Sequence, residues 1–348
     1  MPRKILEAIR SENRQETLRR QRFGEVKPII HAEYKDHKFV SVGNQLLYAK
    51  EGQWQTFPDF LSSYIKNVLG SDWGNAEIKK PLTERHQIRK WYDETCRFQK
   101  LQTKGDNGLY VATPNGSMAA YLYLAYDLYI LRHHSSLQQE IIARLKNKDQ
   151  FQGARYELYV AATCIRADFK IQYEDETDRS TTHPEFTAVH QKTGQQLAVE
   201  AKSRHRQGIL DFPGDPKPTE DTKADIGRLL NQALRKATDL PYVIFVDVNL
   251  PLNEQSQFEL RWLREILRAV ERTWSGQSES KYNLLLFTNH PHHYGRPEES
   301  DPQRHILFLE SKRPKCQAQN PEVLKEIGEA AQKYGNIPDE FPPDFRGV

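Results

Sequence analysis

Two glutamates and a lysine near the middle of the chain have the types and spacing of a metal-assisted hydrolytic site. Glu185 follows Pro184, Glu200 comes 15 residues later, and Lys202 stands two residues after Glu200. Carboxylate oxygens are the hard ligands that suit Mg²⁺, and an ammonium group can stabilise the charge of a phosphate. If the three side chains meet at one point, they provide what Mg²⁺-assisted phosphodiester hydrolysis requires.

The segment between the two glutamates predicts a β-hairpin that brings them together. Residues 186–191 and 196–200 are typical of two strands, and the turn between them contains Gly194, which tolerates a positive φ. Side chains alternate faces along a strand, so Glu200 and Lys202 project from the same face. Because like charges repel and Lys202 offsets only part of the charge, we expect the metal-free site to cost stability.

These residues resemble the PD-(D/E)XK nuclease superfamily, which has the restriction-endonuclease-like fold. Glu185 after Pro184 stands where the family usually has an aspartate, and the run from Glu200 to Lys202 matches the second half of the motif. The resemblance implies a metal-dependent DNA endonuclease. Glu185 and Glu200 would hold Mg²⁺ or Mn²⁺, and Lys202 would position the reacting groups and stabilise the charge of the phosphate.

The resemblance also implies roles for two residues on helices. Glu157 precedes the sheet on a helix where many family members carry a glutamate that joins the metal site, so it is a predicted catalytic and metal-binding residue. Gln232 resembles a helix glutamine that some subfamilies place near the active site. Each has a structural alternative: Glu157 could pair with Arg155 or Arg166, and Gln232 lies off the apolar face of its helix.

A short basic run leaves the strand that carries Glu200. It includes Arg204 and Arg206, and arginine binds phosphates through two parallel hydrogen bonds. We expect these two residues to bind nucleic acid, with an exposed structural loop as the alternative.

A second pattern of the same composition occurs earlier in the chain. Asp59 follows Pro58, and Glu77 stands two residues before Lys79. Residues 60–70 between them have the apolar spacing of a helix, so no hairpin joins the two acids. We therefore reject this pattern as a site.

Apolar spacing in the second half of the chain predicts the elements that position the site. Their order is helix, three strands, helix, strand, which is the αβββαβ core with a mixed central sheet that the resemblance implies, and the fold class is α/β. A further helix and a further buried strand extend this core. Besides the hairpin, the predicted elements are a helix at 153–167, a strand at 169–173, a helix at 222–237, a strand at 242–248, a helix at 257–274 and a strand at 282–288.

The first half predicts a separate, mostly helical N-terminal domain at 1–148, before a nuclease-like domain at 149–348. It begins with a charged helix and contains a small antiparallel meander at 28–56. The sequence leaves three roles possible for this domain. It could bind DNA, regulate the nuclease-like domain, or contact a partner protein or a second copy of the chain in a homodimer. The predicted helices of this domain after the meander are 57–69, 84–101 and 117–146, the last broken near His133 and His134.

The net charge, the cysteines and the most apolar stretch of the chain indicate where the protein could act. The net charge of the 348 residues is only +3, so the overall charge does not indicate nucleic-acid binding. The three cysteines are widely spaced and form neither a metal motif nor a disulfide framework, which favours a reduced, cytoplasmic setting. The most apolar stretch, residues 118–131, is too short to span a bilayer, so we expect no membrane partner.

The sequence therefore predicts an Mg²⁺-dependent nuclease that acts on DNA in restriction, phage defence or repair. Two alternatives remain at this point. One is a nuclease that cleaves RNA, and the other is a non-catalytic nucleic-acid-binding or assembly protein that has a nuclease-like fold.

Overall fold

In a computed structural model, which describes residues 2–105, 108–173, 183–215, 225–236, 238–250, 256–274, 278–290 and 305–342, the chain has a mixed α/β fold. The helices of these residues are α1 (Pro2–Phe23), α2 (Phe57–Leu69), α3 (Ser71–Ile78), α4 (Gln87–Lys100), α5 (Gly116–His134), α6 (Gln139–Lys146), α7 (Phe151–Arg166), α8 (Ile226–Ala233), α9 (Ser256–Trp274) and α10 (Glu322–Gln332). The strands are β1 (Ile30–Tyr34), β2 (His37–Val42), β3 (Gln45–Lys50), β4 (Phe169–Tyr173), β5 (Phe186–His190), β6 (Gln196–Ser203), β7 (Tyr242–Asp247), β8 (Leu284–Asn289) and β9 (His305–Glu310).

Strands β1, β2 and β3 form the small antiparallel meander predicted between residues 28 and 56. Lys35 and Asp36 make the first turn with φ angles of 45° and 56°, the left-handed conformation that the tightest hairpin turns require. Gly43 supplies the same conformation in the second turn, with a φ of 61°. The predicted meander is confirmed.

Helix α2 begins where it was predicted, and its first turn accounts for Asp59. The backbone N–H of Asp59 donates to the Thr56 hydroxyl at 3.3 Å, and the backbone N–H of Thr56 donates to the Asp59 carboxylate at 2.9 Å. This reciprocal pair is a capping box. The buried Glu77 accepts hydrogen bonds from Lys80 at 2.6 Å and from the backbone N–H of His86 at 2.7 Å. Asp59 and Glu77, the two acids of the rejected pattern, therefore both have hydrogen-bond partners inside the fold.

We expect Asp59→Ala to lower the free energy of unfolding by about 1 kcal/mol, because the helix loses its cap. The predicted nuclease chemistry should not change, since Asp59 lies outside the hairpin that carries Glu185 and Glu200. Chemical denaturation measures the first effect and a cleavage assay measures the second. A variant that is as stable as the wild type but no longer cleaves would contradict the assignment of Asp59 to capping.

The six-stranded sheet carries the residues of the predicted site. Its strand order is β4-β5-β6-β7-β8-β9. The pairs from β4 to β6 are antiparallel, β7 runs parallel to β6, β8 runs parallel to β7, and β9 returns antiparallel to β8. The predicted order of helix, three strands, helix and strand corresponds to α7, β4 to β6, α8 and β7.

Helices cover both faces of this sheet. One hydrophobic cluster joins α7, α10 and the N-terminal helices to one face, and a second cluster joins α8 and α9 to the other. Every residue of β7 and β8 is buried, as expected for parallel strands that are covered on both sides. The alternation along β6 places Ala198, Glu200 and Lys202 on the face that α8 covers.

The two predicted domains share part of their core. Helix α5 packs against α7, and the buried Asp127 of α5 accepts a hydrogen bond from the buried Arg166 of α7 at 2.9 Å. Burial raises the pKa of Asp127 to about 6, although the Arg166 charge opposes the shift. The first hydrophobic cluster extends from Val26 to Tyr334. The division between residues 148 and 149 stays a prediction.

The helix break near residue 134 is confirmed, because α5 ends there and α6 begins at Gln139. Three elements were not predicted from the sequence: α3, β9 and α10. None of the described helices is long and apolar enough to cross a membrane.

Candidate active site

The predicted hairpin is formed by β5 and β6. Phe186 pairs with Val199 across the two strands, and the backbone N–H of Glu185 donates to the Val199 carbonyl at 3.0 Å. Gly194 completes the turn with a φ of 71°. This register places Glu185, just before β5, beside Glu200 in the middle of β6.

Two carboxylates and two ammonium groups meet at this point. Glu200 is fully buried, and its Oε1 contacts the Lys202 Nζ while its Oε2 lies 2.8 Å from the Lys236 Nζ. Glu185 is 27% exposed, and its Oε1 lies 3.8 Å from the Lys202 Nζ and 3.4 Å from the Lys236 Nζ. Glu185, Glu200, Lys202 and Lys236 are called the charge cluster below. Their formal charges sum to zero.

Lys236 is the member of the charge cluster that sequence reasoning missed. Helix α8 ends at Ala233, and a turn then folds the chain so that the Lys236 N–H donates to the Ala233 carbonyl at 3.0 Å. The sequence suggested Gln232 from the same helix, but its side chain is exposed. Lys236 lies one helical turn after Gln232 and closer to the apolar face. The sequence signal that could have identified Lys236 is its position at the edge of the apolar face of the helix, which faces the sheet.

Burial sets the protonation behaviour of the charge cluster. It raises the pKa of Glu200, and the neighbouring charge of Glu185 raises it further, while Lys202 and Lys236 act in the opposite direction. Burial alone would lower the pKa of Lys236, but the charges of Glu200 and Glu185 outweigh this effect and raise it. Lys236 is therefore a cation in this arrangement.

The Glu200 carboxylate retains capacity for a further ligand. Both of its oxygens are buried, and each one contacts one lysine. A carboxylate has about four lone-pair positions. The donor set of Glu200 and Glu185 is all oxygen, which suits Mg²⁺ or Mn²⁺. A divalent cation fits these residues if the ammonium groups give up part of their contacts.

Glu157 lies near the charge cluster but has its own partner. Both of its oxygens accept hydrogen bonds from the Arg144 guanidinium, at 2.5 and 2.6 Å. Glu157 and Glu185 line the same cavity of about 30 Å³. Burial raises the pKa of Glu157, Arg144 opposes this, and the charge of Glu185 adds to it. The sequence alternatives, Arg155 and Arg166, are not its partners.

The two predicted phosphate-binding arginines have different positions. Arg206 is buried, and its guanidinium donates to the Asn249 carbonyl at 3.2 Å. This position indicates a role inside the fold and does not favour the predicted contact with phosphate. Arg204 is half-buried, and its backbone N–H donates to the Asp247 carbonyl at 3.3 Å.

Within the described ranges, no group of three or more His, Cys, Asp or Glu side chains is arranged to hold a metal. The protein ligands of a cation at the charge cluster would therefore be the two carboxylates Glu185 and Glu200. Mg²⁺ is commonly bound through one or two carboxylates, with water and substrate oxygens completing its octahedron. Glu157 as a third ligand stays a prediction.

Comparison with protein-family models, with curated proteins and with solved structures finds no match for the chain. The interpretation of the site therefore depends on its own residues and their positions. Chemically, Glu185 and Glu200 are a pair of carboxylates that can hold a cation. Lys202, on the same strand as Glu200, is an ammonium group that can contact a phosphate.

Proposed function

We propose that the chain is a metal-dependent endonuclease that hydrolyses phosphodiester bonds in DNA. The observation that carries this proposal is the meeting of Glu185, Glu200 and Lys202 on one hairpin, with the Glu200 carboxylate fully buried at its centre. Two carboxylates and a lysine held at one point are the groups that a metal-assisted hydrolytic site requires, so this arrangement favours a functional role. Restriction, phage defence and repair are the settings in which such an enzyme would act.

The element order supports a restriction-endonuclease-like core. Helix α7 precedes an antiparallel unit of three strands, and α8 then connects β6 to the parallel strand β7. This is the αβββαβ order that the resemblance to the PD-(D/E)XK superfamily implies. Strands β8 and β9 extend the sheet at one edge.

Each residue of the charge cluster has a separate task in this proposal. Glu185 and Glu200 hold Mg²⁺ or Mn²⁺, and a cation bound there lowers the pKa of water and neutralises charge on the scissile phosphate. Lys202 lies near the end of the strand that carries Glu200, where it orients the phosphate and stabilises the charge that develops in the transition state. Lys236 balances the carboxylates before the cation binds.

The charge balance also supports a second candidate, a non-catalytic protein that binds nucleic acid or assembles with a partner. Two lysines neutralise two glutamates without any metal. If the lysines are permanent partners of the carboxylates, the cluster is a structural ion-pair network. The two candidates differ in one property, the binding of a divalent cation at the charge cluster.

The experiment that tests the proposed function uses labelled duplex DNA, single-stranded DNA and RNA with the purified protein, in Mg²⁺ or Mn²⁺ and in EDTA. We expect cleavage of DNA that requires the divalent cation. Cleavage of RNA alone would replace DNA as the substrate. Binding of nucleic acid without cleavage of any substrate would favour the non-catalytic candidate.

We expect Lys236→Met to raise the affinity of the protein for Mg²⁺ by about tenfold or more in the absence of nucleic acid. The substitution removes a cation that lies 2.8 Å from Glu200 and 3.4 Å from Glu185, and a divalent ion no longer has to compete with it. Titration calorimetry measures the change. The exposed Lys50→Met is the matched control and should bind Mg²⁺ as the wild type does. Equal or weaker binding by Lys236→Met would show that the ion binds elsewhere.

A further inference from the structure

A groove with basic walls begins at the charge cluster and follows the edge of the sheet where β7 and β8 start. It consists of two neighbouring cavities of about 220 and 280 Å³. Both are lined by Leu234, Arg235 and Lys281; Lys315 lines the first, and Arg272 at the end of α9 lines the second. Arg235, Arg272, Lys281 and Lys315 are called the basic groove below.

The four cations of the basic groove are exposed, and none forms an ion pair with an acidic side chain in the described part of the chain. Among the described residues that line these two cavities, Asp239 is the one carboxylate. The basic groove is thus a local excess of positive charge on a chain whose net charge is small.

Backbone hydrogen bonds join the segments that carry Lys281 and Lys315. The Ser280 N–H donates to the Arg313 carbonyl, and the Lys315 N–H donates to the Ser280 carbonyl, both at 2.8 Å. These bonds fix Lys281 beside Lys315. Arg235 follows α8 directly and precedes Lys236, whose backbone is fixed by Ala233.

Lys236 connects the basic groove to the candidate active site. It lines the first cavity together with Arg235 and Lys281, and its Nζ reaches Glu185 and Glu200. A strand that places a phosphate at the charge cluster can therefore continue along the groove. Tyr282, the one aromatic residue in the described lining of the two cavities, is buried and offers no ring for base stacking. The groove suits the backbone of a duplex better than unstacked bases.

We propose that the basic groove binds the phosphate backbone of duplex DNA next to the bond that is cleaved. This inference rests on the proposed function, and it assigns the phosphate contacts to Arg235, Lys281, Arg272 and Lys315. Arginine and lysine contacts with phosphates release condensed counterions, so binding through the groove depends on salt concentration but not on base sequence.

The test is binding of a labelled DNA duplex in EDTA across a range of salt concentrations, with the duplex checked for cleavage on a gel. Arg235→Gln combined with Lys281→Gln should weaken binding at least about tenfold at low salt, and reduce the slope of log K against log salt by about two. The matched control combines Lys50→Gln and Lys170→Gln, two exposed lysines on other strands. Arg235→Lys combined with Lys281→Arg keeps both charges and should retain most of the affinity.

If the double variant binds duplex DNA as tightly as the control does, with the same salt slope, the basic groove does not bind the phosphate backbone. A preference of the protein for single-stranded DNA or duplex RNA in the same assay would also refute this proposal. The proposal that the groove binds DNA and the proposal that the protein is a nuclease can be refuted independently. Loss of binding in a protein that never cleaves would support the groove and refute the nuclease, and unchanged binding in an active nuclease would do the reverse.

Discussion

Glu200→Gln is expected to lower the rate of DNA cleavage by about 10³-fold or more, while the protein stays folded. The substitution keeps the size of the side chain but removes the charge that holds a divalent cation, and such a cation supplies several kcal/mol of stabilisation to the transition state. Cation binding should fall in parallel, because Glu200 is the buried one of the two carboxylates. Single-turnover cleavage and titration calorimetry measure the two effects.

The matched control for this substitution is Glu77→Gln. Glu77 is also a buried glutamate that pairs with a lysine, Lys80, but it lies in the rejected pattern. Glu77→Gln should lose some stability, since a buried carboxylate gives up charge-assisted hydrogen bonds, and keep its cleavage rate. A Glu200→Gln protein that cuts at the wild-type rate would refute the assignment of the active site.

Lys202→Met should lower the cleavage rate by about 10²- to 10³-fold, which is the usual cost of removing one group that stabilises transition-state charge. Unlike Glu200→Gln, it should retain or strengthen cation binding, because both carboxylates remain and one competing ammonium group is removed. This contrast separates the ligands from the residue that contacts phosphate. Cleavage rates at saturating Mg²⁺ together with calorimetric titration provide the comparison.

Lys79→Met is the control for Lys202→Met, because the exposed Lys79 occupies the corresponding place in the rejected pattern. It should cleave at the wild-type rate. If Lys202→Met cleaves normally as well, the ion pair between Lys202 and Glu200 is structural, and the charge that stabilises the phosphate comes from another residue.

The hairpin was predictable because it is local. A turn glycine and two short strands determine which residues face each other, and the pairing of Phe186 with Val199 fixes Glu185 beside Glu200. The same holds for the meander and for the capped helix α2. Their signals lie within a few residues of the structure that they specify.

Lys236 was not predictable in the same way, because its position depends on the packing of α8 against β6 and on the turn after α8. The stability cost that we expected from the sequence for the metal-free site was therefore based on an incomplete set of charges. With Lys202 alone, the two carboxylates would carry an excess negative charge and strain the metal-free site. With Lys236 present, the formal charge is balanced, and the expected cost in stability no longer follows.

Phosphate contacts were also difficult to assign from sequence. Arg204 and Arg206 leave the active-site strand and look suitable, but the chain turns Arg206 inward to the Asn249 carbonyl. Arg235, Lys281 and Lys315 are far apart in sequence, and only the end of α8, the start of β8 and the segment after β9 bring them together. A basic surface made of distant segments leaves no local pattern.

The most direct test of the proposed function is a time course of supercoiled plasmid with wild type and Glu185→Gln purified in parallel, each in Mg²⁺ and in EDTA. Glu185→Gln controls for contaminating nucleases and changes the more exposed of the two carboxylates. The proposed site predicts nicked and linear DNA with wild type in Mg²⁺ and in no other sample. A folded wild type that leaves the plasmid intact in Mg²⁺, or a Glu185→Gln protein that cuts equally well, would contradict it.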